Sequence, residues 1–504
     1  MSSCIGFVTE AVRILVDRQS ARWGGRPDGA LCITITNRSN RSYRSIGGKS
    51  GDTYLTYPCP EQPMEMEPCR LDLGAWPILE RLSQLTGDGA CREMVRATAH
   101  AFARDGFNAT SGLAYLGQET QFDVVRLRPV GVAMYPMPKF KPAADLPLDI
   151  LWRTAPDRTA RMIKSAYYAL VTNPGRMDYN RFCVDYDFDD SAKRPATPFS
   201  SSHVAFAQTG SMLIHWWSMH YARTGDAECL GWAQAMADKW RAVQHPQSGL
   251  LPHWFGSDRS DEPVMPPRPY ANVGDTMMAL EMLRAARELR GKPEADALAS
   301  QLADMAVRLL RGIARHGYDP HARIFPNWLR VEGGVDETAL WYAFRTEKHK
   351  AEMVKRDPVF KEVPVFIGQG FYRCGAPWDL GMRNPVPCDI AKGACMTGDA
   401  ELTKRAAEFA PPIMEEARAL TGEFNAEGLW TYPASASYIE MMLSLFRATG
   451  DRLYLSHAQE LAEIEIGFLS QALPAGRPQW WRMQFRDELL DALLELHAMR
   501  EGRP

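Results

Sequence analysis

Between Ser211 and Arg223 the chain is apolar nearly all the way round: Met212, Leu213, Ile214, Trp216, Trp217, Met219 and Tyr221 leave no polar face. Such a segment predicts a helix buried on every side. Thr224-Gly225-Asp226 then stops it, the Gly as the residue after the C-cap and the Asp able to cap the next helix. From about Ala227 to Val243 the pattern changes. Leu230, Ala233, Ala237 and Trp240 fall on one stripe while Gln234, Asp238, Lys239 and Arg241 lie off it, which predicts an amphipathic helix. A buried helix, a tight turn and an amphipathic return helix together predict one inner and outer pair of a helical toroid.

The same alternation recurs along the chain. The opening MSSCIGFVTEAVRILVDRQ predicts an amphipathic helix. Helices come next from about Trp76 to Leu85 and from Ala90 to Asp105, joined at Thr86-Gly87-Asp88, and then from Asp157 to Thr172. Beyond Tyr270, a largely apolar stretch from Gly274 to Leu289 turns at Gly291-Lys292-Pro293. An amphipathic one from Glu294 to Ala314 succeeds it, through Leu298, Leu302, Met305, Leu309 and Ile313. Thr397-Gly398-Asp399 and Thr449-Gly450-Asp451 mark two more turns, the last between an inner helix at Ser435 to Ala448 and an outer one at Leu453 to Leu469. Repeated helix pairs joined by Gly turns predict a solenoid or a closed toroid. Long, aromatic loops between the pairs favour closure around a cleft. Strand signal is limited to one short run, Leu31 to Thr36, and Pro58 to Pro68 is a Pro-rich connector. Phe107 to Ala144 is irregular and rich in Gly, Pro and aromatics. The expected fold is all-α, an (α/α) barrel of six or seven helix pairs. It forms one domain over residues 1–504, with residues 20–75 irregular and partly extended.

A net charge of −3 with 24% charged residues supplies no field for nucleic acid or an anionic membrane. There is no apolar run of bilayer length and no basic-plus-apolar leader, which reads as cytoplasmic for the sequence as given, or as periplasmic or secreted if a leader was removed. Ten cysteines without CxxC spacing suit buried thiols better than a disulfide frame. The 14 tryptophans change the picture more: they serve either a large core or flat platforms for sugar rings. Trp216, Trp217, Trp232 and Trp240 lie within helices and read as core.

Taken in order, MDYNR (Met177 to Arg181), AFAQTGSMLI (Ala205 to Ile214), TGDAECLGWAQAMADKW and HPQSGLLP resemble the bacterial (α/α)-toroid polysaccharide lyases of the alginate and glucuronan type. The upstream GFNATSGLAYLGQETQFD looks like their rim segment, and LWTYPASASYIEMMLSLFRATGDRLYLSHA is similar to their closing helix pair. These patches cover about half the chain. The family pattern follows the Asn-Arg pair with a histidine where Phe182 stands here, so no histidine role is placed at that position. The resemblance implies an enzyme that cleaves uronate-containing glycans by β-elimination, with an acidic polysaccharide or oligosaccharide as its partner and neither nucleic acid nor membrane.

That reaction needs a group to neutralise the C5 carboxylate, a base for the C5 proton and an acid for the leaving oxygen. Asn180 and Arg181 stand in an irregular segment away from any core stripe. His203 precedes the buried helix, and His253 precedes an aromatic pair in LLPHWFG. Arg268 and Tyr270 occupy a Pro-stiffened PPRPY, where an Arg fork suits a carboxylate. Tyr438 and Glu440 open the last inner helix, Tyr438 serving as an acid or as core and Glu440 as a sugar-hydroxyl acceptor. Glu119, Trp254, Trp378 and Trp430 complete the substrate contacts. His215 and His220, within an apolar helix, read as buried and hydrogen-bonded. The rival chemistry is hydrolysis by a carboxylate pair, for which Asp336, Glu337 and Asp379 are candidates. No metal or cofactor is required, although the run Asp185, Asp187, Asp189 and Asp190 could hold a divalent cation. GxxxxGK[ST], GxGxxG and HExxH patterns do not occur. A protein-binding solenoid fits less well, because such scaffolds have short regular turns.

Overall fold

The computed structural model describes residues 4–19, 32–33, 70–71, 73–109, 111–114, 121–123, 128–130, 146–179, 205–255, 270–318, 324–326, 328–334, 371–373, 386–419, 436–470 and 489–503. Fourteen helices run through them: α1 (Cys4–Gln19), α2 (Ala75–Thr86), α3 (Gly89–Asp105), α4 (Leu148–Thr154), α5 (Pro156–Leu170), α6 (Ala207–Thr224), α7 (Ala227–Val243), α8 (Thr276–Leu289), α9 (Asp296–His316), α10 (Val386–Thr397), α11 (Ala400–Ala419), α12 (Ala436–Thr449), α13 (Arg452–Leu469) and α14 (Leu489–Arg500). Strands are two or three residues long and occur as isolated antiparallel pairs. The fold is all-α.

Consecutive helices pack as hairpins: α2 on α3, α4 on α5, α6 on α7, α8 on α9, α10 on α11 and α12 on α13. The last helix, α14, takes the first, α1, as its outer partner. The even-numbered helices form an inner ring, and each touches the next. Glu80 of α2 binds Arg153 of α4 at 2.8 Å, and Asp149 of α4 binds Arg223 of α6. His215 of α6 meets Glu281 of α8 at 2.6 Å, and Thr276 of α8 donates to Asp389 of α10 at 2.7 Å. Lys392 of α10 reaches Glu440 of α12 at 2.5 Å, and Arg447 of α12 pairs with Glu495 of α14. Arg81 of α2 closes the circuit on Asp491 of α14 at 3.0 Å. Seven helix pairs therefore make a closed (α/α) barrel. Exposed members of this belt contribute little stability, but a chain of neighbour-to-neighbour ties sets the register of the ring.

The core fills the space between the rings. Thirteen of the residues of α6 are buried, Trp217 completely, as its unbroken apolar surface predicts. Tyr167 of α5 stacks on Trp232 of α7 with ring centroids 3.9 Å apart, and Trp217 meets both rings edge-on. Trp216, Trp232 and Trp240 are likewise core. The free thiols Cys4, Cys91, Cys229 and Cys388 are buried, as expected of thiols inside helices, and Cys395 is half-buried. No described helix is long and apolar enough to cross a membrane.

The Thr-Gly-Asp turns repeat one geometry. At Gly225 φ is +75°, a conformation that costs any other L-residue about 1–2 kcal/mol. The Thr224 hydroxyl donates to the His220 carbonyl at 2.8 Å, and Asp226 accepts from the Glu228 amide at 3.0 Å to cap α7. The turns at Gly87, Gly398 and Gly450 match it, with φ of 78°, 70° and 72°.

The expected strand-like run is present as β1 (Cys32–Ile33), paired with β2 (Arg70–Leu71); residues 20–31 and 34–69 lie outside the described residues. Further along, β3 (Ala205–Phe206) immediately precedes α6 and pairs with β4 (Trp254–Phe255). Another short strand, β5 (Tyr270–Asn272), pairs with residues 328–330 and approaches α8.

Candidate active site

The N-terminal ends of α6, α8, α10 and α12 converge opposite the tight turns, and buried polar groups gather there. Strand β5 runs into a 3₁₀ turn, Val273–Asp275, that leads directly into α8. The Asn272 side chain accepts from the Gly274 amide at 2.7 Å, and the Asp275 carboxylate accepts from the Asn272 amide at 3.3 Å, a reciprocal cap. The same carboxylate, fully buried, binds His253 Nδ1 at 2.8 and 3.0 Å. An ionised carboxylate only accepts, so this contact places a hydrogen on Nδ1 and directs Nε2 away from Asp275. The His253 carbonyl in turn accepts from the Ala207 amide at 2.9 Å, fastening this loop to the start of α6.

On the next two helices, Lys392 lies against Glu440 at 2.5 Å, and Cys388 Sγ is 3.6 Å from the same Glu440 oxygen. Burial works against the Lys392 charge, but Cys388, Glu440 and Asp389 outweigh it and hold the ammonium above its ordinary range. Deeper along the barrel, Glu281 carries two partners, His215 on one oxygen and Arg284 on the other. Burial alone would raise its pKa; the Arg284 and His215 charges and hydrogen bonds overcome this, and the carboxyl sits below its usual range. At the N-terminal end of α6, Tyr179 packs against Gly210 and Trp240. A Cβ at Gly210 would collide with the Tyr179 hydroxyl and the Trp240 indole, so only glycine permits this approach. Burial pushes the Tyr179 phenol well above its ordinary value.

Of the residues singled out from the sequence, His253 and Glu440 stand at this mouth. Tyr438, 1% exposed, lies in the first turn of α12. Tyr270 contributes backbone to β5 and Trp254 to β4, both strands beside inner-helix starts. Asn180, Arg181, His203, Arg268, Glu119, Trp378 and Trp430 lie outside the described residues, as do Asp336, Glu337, Asp379 and the acidic run from Asp185 to Asp190. The described residues nearest to several of them, Tyr179, Ala205 and Tyr270, belong to elements at the mouth. Sequence reasoning missed Asp275, Glu281, Arg284, Asp389 and Lys392. Glu281 had a signal: a carboxylate inside the apolar run TMMALEMLRAAREL is an anomaly that burial must compensate.

Among the described residues, one His/Cys/Asp group brings its ligand atoms within 4.8 Å of one another, His220, Asp226 and Cys229. It belongs to the tight-turn end. Lys164 already occupies the Asp226 carboxylate at 2.8 Å, and burial pushes the Cys229 thiol up to about 12. The Asp88–Cys91 pair repeats the same contact at another turn, at 3.5 Å. The group reads as capping architecture.

The sequence model of a family described as periplasmic pectate lyase matches residues 77–280, less than half of the chain. The matched stretch contains both His253 and Asp275, and it supports a carbohydrate-processing enzyme. No curated protein matches the sequence. Among solved structures, a sugar epimerase from a ruminal bacterium is similar with a TM-score of 0.45 and 10% identity, over 98% of this chain and 99% of that one. The cellobiose 2-epimerase of Spirochaeta thermophila gives 0.41 and 11%, over 86% and 85%. The unsaturated glucuronyl hydrolase of Bacillus sp. GL1 gives 0.37 and 11%, over 70% and 84%. These likenesses are remote, and the barrel stands on the order and packing of its own helices.

Proposed function

We propose that the protein is a polysaccharide lyase that cleaves uronate-containing glycans by β-elimination at the mouth formed by α6, α8, α10 and α12. The observation that carries this reading is the His253–Asp275 pair, a buried carboxylate orienting an imidazole at a barrel mouth, within the stretch that matches the pectate lyase family. The pair is suited to exchange a proton with substrate. Asn180, Arg181 and Arg268 supply the neutralising contacts to the C5 carboxylate. His203 and Tyr270 are further proton-transfer candidates. Trp254, Trp378 and Trp430 offer faces for sugar rings, and Glu119 and Glu440 accept from hydroxyls.

Hydrolysis is the second reading, favoured by the carboxylates Asp389 and Glu440 on adjacent inner helices. Incubation with pectate, alginate and glucuronan, polymers and oligomers alike, separates the two. β-Elimination yields ultraviolet-absorbing unsaturated uronyl ends. New reducing ends without that absorbance refute the lyase reading and leave hydrolysis.

A further inference from the structure

His215 sits midway along α6, on the strip it forms with Gln208 and Ala222. Every other residue from Ala207 to Ala222 is buried. The spacing of seven is two helical turns, so the strip is one line, and on a helix whose other faces are packed it opens to the barrel interior. The facing helix, α8, has a matching strip in which Met277, Arg284 and Glu288 are half-buried to Glu281's full burial. Glu281 joins the two strips, taking His215 Nδ1 at 2.6 Å on one oxygen and Arg284 on the other. Because the carboxylate only accepts, Nδ1 carries the hydrogen and Nε2 presents its lone pair. Among the described residues Nε2 has no hydrogen-bond partner. This is an oriented imidazole with an open nitrogen, which core packing does not require.

Resting on the lyase reading above, we infer that His215, positioned by Glu281, is the base that removes the C5 proton, with His253 as the acid that serves the leaving oxygen. The two pairs differ in their partners. Among the described residues, Asp275 has no cationic partner but His253, whereas Glu281 already shares its charge with Arg284. The open Nε2 of His215 suits the base, which leaves the acid to His253 at the mouth. The two orienting carboxylates stand six residues apart along one chain segment, roughly 9 Å of helical rise, and the imidazoles they hold must reach adjacent carbons of one sugar ring, C5 and C4. In the step, Nε2 of His215 takes the C5 proton and the C–H electron pair becomes the C4=C5 double bond. The C4–O bond breaks, and its oxygen keeps that pair and takes a proton from His253. One proton has then moved from His253 to His215, and exchange with water restores both.

The test is His215→Asn, which keeps an amide N–H for Glu281 and deletes Nε2. On a uronate glycan that the wild type cleaves, kcat is expected to fall by about 100-fold or more with KM little changed and the melting temperature retained. Free imidazole is expected to restore part of the turnover of His215→Gly. A kcat within about threefold of wild type overturns the inference, since that is under 1 kcal/mol of barrier. If the wild type forms no unsaturated product, the lyase reading fails by itself, and a second measurement still judges His215. Diethyl pyrocarbonate should carbethoxylate His215 in the folded protein, read by peptide mass spectrometry. An unreactive His215 in the native state overturns its role as an accessible base.

Discussion

At the tight-turn end, α6 hands over to α7 through residues 225–226 and α12 to α13 through 450–451, and the longest connection, α8 to α9, is residues 290–295. At the mouth the connections occupy residues 20–74, 106–147, 171–206, 244–275, 317–385, 420–435 and 470–488. The first end repeats one solution because its task is the same each time: reverse the chain, satisfy the last carbonyls, cap the next helix. The described residues at the mouth show no such repeat: the His253–Asp275 pair at α8 and the Lys392–Glu440 pair at α10 and α12 are built differently. The proposed site thus stands at the inner-helix N-termini, apart from the turns and core that carry stability. This division can be broken from either side.

The largest effect is expected at the mouth. His253→Asn keeps a donor for Asp275 while removing Nε2, and should lower kcat on the cleaved glycan by about 100-fold or more without loss of the helical circular dichroism. The converse disruption is Trp217→Ala. Its ring is fully buried against Tyr167 and Trp232, and truncation should cost about 3–5 kcal/mol in denaturant unfolding.

Sequence pattern reached the second kind of residue more readily than the first. The amphipathic stripe from Ala227 to Val243 gives the bounds of α7, and the all-round apolar run predicts the inner position of α6, although that helix begins four residues earlier, at Ala207. Thr-Gly-Asp fixes the turns through local chemistry alone. The seven-residue α4 is too short to show periodicity, and α10 begins at Val386 with Pro387 in its first turn, a start that periodicity alone does not mark. His253 was legible as a rim histidine, but its partner Asp275 is distant in sequence and reads locally as a cap. His215 was legible as hydrogen-bonded; that its bond goes to Glu281 on a neighbouring helix, leaving the other nitrogen open, depends on how two helices pack. Periodicity reports which face is buried, and says nothing of which buried charges meet.

Glu281 lies between the two ends and sharpens the comparison, because it is a mouth-side charge held by core burial. Glu281→Gln leaves Arg284 and His215 without their anion, and should destabilise the fold by about 3 kcal/mol near neutrality. The sign of its pH dependence follows from the lowered pKa. The wild-type carboxylate contributes fully above the ordinary glutamate value of 4.5, and that contribution fades as pH falls through the lower folded value. The stability gap between wild type and Glu281→Gln should therefore be widest above this value and narrow toward acid, as read by urea unfolding across pH. A gap that widens on acidification would contradict the ionised pairing.

The smallest effect belongs to the tight-turn end, and it isolates one cap from the repeated unit. Asp451 accepts from the Leu453 amide at 2.9 Å and caps α13, while the Thr449 hydroxyl donates to the Leu445 carbonyl at 2.7 Å. Asp451→Ala removes one acceptor from an exposed helix start and should cost about 1 kcal/mol, the usual worth of an N-cap. Because the cap stands at the far end of the inner ring from His253, kcat and KM should be unchanged. Asp226→Ala should cost more than Asp451→Ala, since Asp226 also holds Lys164 of α5, an ammonium that it shares with Glu228. Equal losses at the two positions would mean that the Lys164 contact adds nothing beyond the cap.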